Sequence, residues 1–178
     1  APSADPSLAA RARGARADLG VAGRLIDLLS RLAILVGEAP SETSIDDVCR
    51  LAGIPLGEGP GPRPRLLLRR LATIDALRNV ATFLRPPGPA GPSPLSTVES
   101  TSDRVSLRIE GCGPSGETNL ERLFHLPRGE ERAEGLFLAR AGVEYDGGRL
   151  ELVEEAGLLV ALLSWPRPAP HSDTGGTA

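Results

Sequence analysis

Lysine and methionine are absent from this 178-residue chain, cysteine and histidine occur twice each, and aromatic residues make up only 3% of it. Without lysine there is no Schiff-base chemistry and no phosphate-loop lysine. The 20 basic residues are all arginine and face 23 acids, for a formal net charge of -3. That balance lacks the electrostatic footprint of a nucleic-acid binder. Cys49 and Cys112 lie far apart, and neither has a second cysteine or a histidine at zinc-ligand spacing. A disulfide framework and a zinc site are therefore not expected, and a reducing cytoplasm is the expected compartment. No apolar run reaches the roughly 18 residues of a membrane-spanning helix. The opening APSADPSLAARARGAR has no apolar core of the signal-peptide kind. An initiator methionine ahead of a small residue such as Ala1 is often trimmed, so its absence leaves open whether the chain is complete or part of a longer protein, and a soluble chain is the expectation.

What is present is periodicity. Residues 1–14 and 167–178, rich in Pro, Ala, Gly, Ser and Thr, are expected to be disordered tails. Val21, Leu25, Leu28, Leu32 and Leu35 then recur at spacings of four and three, the seam of a helical bundle or short coiled coil. These five are the expected interaction residues, with a homodimer formed through this helix. PSETSIDDVCRLAG supplies Ser and Thr caps, early acids and a closing Gly53, which predicts a second, shorter helix. Residues 15–56 are thus expected to form a helical, dimerisation-like segment, bounded by the turn-rich IPLGEGPGPRPR.

Residues 64–166 predict a second unit. From Leu66 to Phe83, Leu67, Leu71, Ile74, Leu77 and Ala81 share one helical face. Val105, Leu107 and Ile109 alternate with polar residues as a half-buried strand does. Helix-like LERLF and EGLFLARAGVEY follow. The segments Gly148 to Glu154 and Gly157 to Trp165 predict an antiparallel hairpin whose second strand is apolar almost throughout. The fold class is α+β: a helical segment followed by a sheet with helices on one face.

Three segments, DALRNVATFLRPPG, RVSLRIEGCGPSG and EGLFLARAGVEYDGGRLEL, occur in this order. From about Leu66 to Trp165 the chain resembles the ATP-binding domain of histidine kinases, the GHKL superfamily, and the helical part resembles their dimerisation helices. The resemblance implies a nucleotide site in which Asn79 ligates Mg²⁺, Glu110, Gly111 and Gly113 form the acidic turn, and Gly135 belongs to the lid. Matching Gly111 and Gly113 to the family's glycines puts Ile109 where an aspartate reads adenine. Glu110 replaces it only if the strand slips by one residue, which turns the other face inward. The lid pattern of glycine, any residue, glycine, leucine becomes Ala133, Glu134, Gly135, Leu136, and the span from Phe124 to Ala133 is short for a mobile lid.

GRLIDLLSRLAIL is similar to the first dimerisation helix, in the version found in kinase-derived phosphotransferases. Ile26 takes the phospho-acceptor histidine's place, Asp27 keeps the acid and Arg31 replaces the proline. Isoleucine cannot be phosphorylated. The two histidines are His125, expected to be an ordinary surface or partly buried residue, and His171 in the tail. The function expected is a degenerate histidine kinase or phosphotransferase relative, without cofactor, acting as a dimeric interaction module. Its partners would be a response regulator, an active kinase or another signalling protein. The alternative is an Mg-ATP-binding kinase or ATPase using Asn79 and Glu110, or an active phosphotransferase using His125. No nucleophile elbow or paired site supports hydrolase chemistry. The acids of SETSIDDVCRLAGI oppose phosphate contact.

Overall fold

The computed structural model describes residues 6–57, 64–85, 94–112, 120–125 and 131–168. The elements in chain order are α1 (Pro6–Gly37), β1 (Ser41–Ser44), α2 (Ile45–Ala52), β2 (Arg65–Leu68), α3 (Arg70–Leu84), β3 (Leu95–Ser100) and β4 (Arg104–Gly111). A 3-10 turn (Leu120–Phe124), α4 (Glu131–Tyr145), β5 (Arg149–Glu155) and β6 (Leu158–Pro166) complete the order.

Alternation builds the main sheet. Val105, Leu107 and Ile109 on β4 are fully buried, as are Ala161 and Leu163 on β6. Strands run in the order β3-β4-β6-β5, each pair antiparallel. Helices α3 and α4 pack on the apolar face, which hides their own Leu77, Val80, Leu84, Leu136 and Ala139. The hairpin closes through Ala156 and Gly157, both at positive φ (50° and 78°), between the paired Glu155 and Leu158. Two such residues match the right-handed twist of the flanking strands.

The sheet's other face carries charge. Arg108 on β4 donates from Nε to Glu110 (2.7 Å) and from Nη2 to Glu155 on β5 (2.8 Å). The bridge crosses β6 close to Val160, which is buried although it points away from the helices. The hydrogen bond from Arg108 holds the Glu155 carboxyl below its ordinary range, and Glu155 and Glu110 together raise the guanidinium. A long arginine stem covers an apolar strand here while its head stays with carboxylates.

Several expectations need correction. Residues 6–14 are helical rather than part of a disordered tail. Alanine and arginine are strong helix formers, and they outweigh the glycine and proline content there. The boundary placed near residues 57–63 does not divide two packing units. β1 pairs with β2 across it, from Ser41 with Leu68 to Ser44 with Arg65, and Ile45, Val48, Cys49 and Ile54 join one core with Leu66 and Leu77. Residues 65–68 form a strand in which Leu66 and Leu68 are buried, so the helix begins only at Arg70 and leaves Leu67 and Leu71 exposed. β3 was not foreseen. It lies at an edge of the sheet, where its exposed side chains blur the period of two. Residues 1–5 and 169–178, expected to be tails, lie outside the described residues.

Candidate functional site

The segment DGGRLEL joins α4 to β5. The N–H of Gly147 reaches the Glu144 carbonyl (3.0 Å) and that of Gly148 reaches the Val143 carbonyl (2.9 Å), a Schellman closure with Gly147 at φ 71°. Glycine is required at the next position for a different reason. A Cβ on Gly148 would lie 2.7 Å from the Ser164 carbonyl oxygen and 2.8 Å from Val143. The acid is equally occupied. Asp146, with its side chain 1% exposed, accepts from the Arg69 guanidinium (2.6 Å) and from the Arg69 backbone N–H (3.0 Å). The guanidinium also lies 4.2 Å from the centre of the Tyr145 ring. This joint therefore fastens the start of α3 to the end of α4. Neither Arg69 nor Asp146 lines the cavities beside Asn79.

Asn79 lies on the flank of α3 that meets α4 and α1. A Cβ on Gly135 would sit 3.3 Å from the Asn79 Oδ1, so the two helices pass closely at this point. Helix α1 covers the same region. Leu28 is buried there, and Glu38, just beyond the end of α1, accepts from the N–H groups of Leu71 (2.9 Å) and Ala72 (3.0 Å). No side chain within α3 caps its first turn. Glu38 thus supplies an anion to unpaired donors at the positive end of the helix. Cavities lined by described residues open between α1 and the sandwich. One, of about 380 Å³, is lined by Asp27, Leu28, Arg31, Asn79, Glu134, Gly135 and Leu138. The other, of about 260 Å³, runs from Arg31 and Ile34 to Asp75 and Arg78.

The residues expected to read adenine are not gathered with Asn79. Ile109 is fully buried on the helix-covered face, between Ser96 and Ala161 in register. Glu110 therefore points to the opposite face, where Arg108 holds it. The strand has not slipped. Gly111 packs against the end of α3, where a Cβ would come within 2.4 Å of the Leu84 carbonyl oxygen. Neither cavity lined by Asn79 includes Ile109, Glu110 or Gly111. Gly113 lies outside the described residues. Among the residues described, then, the set implied for Mg-ATP is not gathered along one of these two cavities. No group of three or more His, Cys, Asp and Glu that could hold a metal is found among them either.

Comparison with solved structures places this architecture. The catalytic domain of histidine kinase ThkA, in a nucleotide-free form, superposes with a TM-score of 0.57 at 17% identity, over 72% of this chain and 95% of that one. Histidine kinase AdeS of Acinetobacter baumannii gives 0.56 at 14% identity, over 94% of this chain and 88% of that one. The mycobacterial sensor histidine kinase MprB gives 0.53 at 15%, over 73% and 99%. The fold is the histidine kinase catalytic fold. No family model matches the sequence, and no curated protein matches it.

On this kinase-like fold the five expected interaction residues divide. Leu28 is buried, and Leu32 and Leu35 are half-buried on the side of α1 that faces the sandwich, whereas Val21 and Leu25 are exposed. The lower half of the seam is therefore used within the chain. Ile26 is 65% exposed, and its hydrocarbon side chain offers no phosphoryl acceptor. Asp27 and Arg31 form an exposed ion pair (3.0 Å) one turn apart. His125 is exposed beside the 3-10 turn, and His171 lies outside the described residues. No described helix is long and apolar enough to cross a membrane. Two features went unread in the sequence: the Glu38 cap and the Arg69–Asp146 pair. Glu38 precedes Leu71 by more than thirty positions, and only the fold shows that separation to be short.

Proposed function

We propose that this chain is a degenerate, histidine-kinase-like signalling protein that works as a dimeric protein-interaction module and does not phosphorylate. The parity of β4 carries the reading. With Ile109 in the core and Glu110 held by Arg108 on the far face, the strand presents no carboxylate to an adenine amine. A buried isoleucine cannot be exchanged for its polar neighbour without moving every side chain of the strand to the wrong face. The crowding of Gly135 on Asn79 and the exposed hydrocarbon of Ile26 agree with it. The partner is a response regulator, an active kinase or another signalling protein, met in the cytoplasm.

Calorimetric titration with ATP and Mg²⁺ tests this, with no heat of binding expected up to millimolar nucleotide. Mg²⁺-dependent binding that disappears on Asn79→Ala would overturn it in favour of a working nucleotide site. The exposure of His125 gives the phosphotransferase alternative its one foothold. Transfer of label from a phosphorylated regulator to His125 would establish that reading instead.

A further inference from the structure

We draw no further inference here: the strongest candidate, the cleft between α1 and the sandwich lined by Arg31, Asn79 and Leu138, belongs to the site already described, and its Arg31 and Arg78 guanidinium groups are already paired with Asp27 and Asp75.

Discussion

The first turn of α3 and the middle of the same helix are built in opposite ways. At the first turn, Glu38 arrives from the end of α1 to hold two backbone donors, and Asp146 arrives from the α4–β5 joint to hold Arg69. Roughly two and a half turns later, the Asn79 side chain makes no hydrogen bond among the described residues and borders two open cavities. The directed polar contacts fall where elements are tied together: the first turn of α3 is over-determined and the Asn79 flank is not.

Three substitutions probe that contrast. Asp146→Ala should have the largest effect, because it leaves Arg69, whose side chain is 16% exposed, without its carboxylate. Breaking a buried pair from one side costs about 3 kcal/mol. A fall in Tm of roughly 10 °C is expected for a domain of this size. A loss under a third of that would show that the joint is not the fastening described. Glu38→Ala comes next, at about 1 kcal/mol, the usual cost of losing a helix cap. Urea unfolding measures it, and hydrogen exchange at Leu71 and Ala72 should quicken at the same time. Asn79→Ala should be smallest, within about 0.5 kcal/mol in the same denaturant series. A large loss there would mean that the Asn79 flank is as tightly constrained as the first turn, and the contrast would fail.

How much of this was legible beforehand depended on whether a feature is local. The β5–β6 hairpin was read to within about a residue, since alternation and turn residues lie in one short window. The α4–β5 closure followed from its glycines in the same way. The inward set of β4 came from alternation alone. Features joining distant segments were not readable. Pairing of β1 with β2 spans a linker that composition marks as a break, and the leucine run 66–68 suits a helix as well as a strand. The seam on α1 shows a subtler limit. Heptad spacing identifies a stripe but not its occupant, and α1 carries two. Only burial at Leu28 and exposure at Ile26 and Leu29 distinguish the stripe that the chain covers from the one it leaves open.

The chain's single tryptophan stands at the joint where those fastenings meet. Trp165 is 1% exposed, and its Cδ1 lies 2.7 Å from where a Gly148 side chain would begin. Its indole N–H has no partner among the described residues, so the ring sits in an apolar setting. The protein therefore carries its own optical gauge. Intrinsic fluorescence excited through the indole should be blue-shifted in the native state and move to the red as the α4–β5 joint opens, with little interference from the lone tyrosine. Loosening at the joint and unfolding of the whole domain would then be separable by comparing emission with far-ultraviolet dichroism, without attaching a dye.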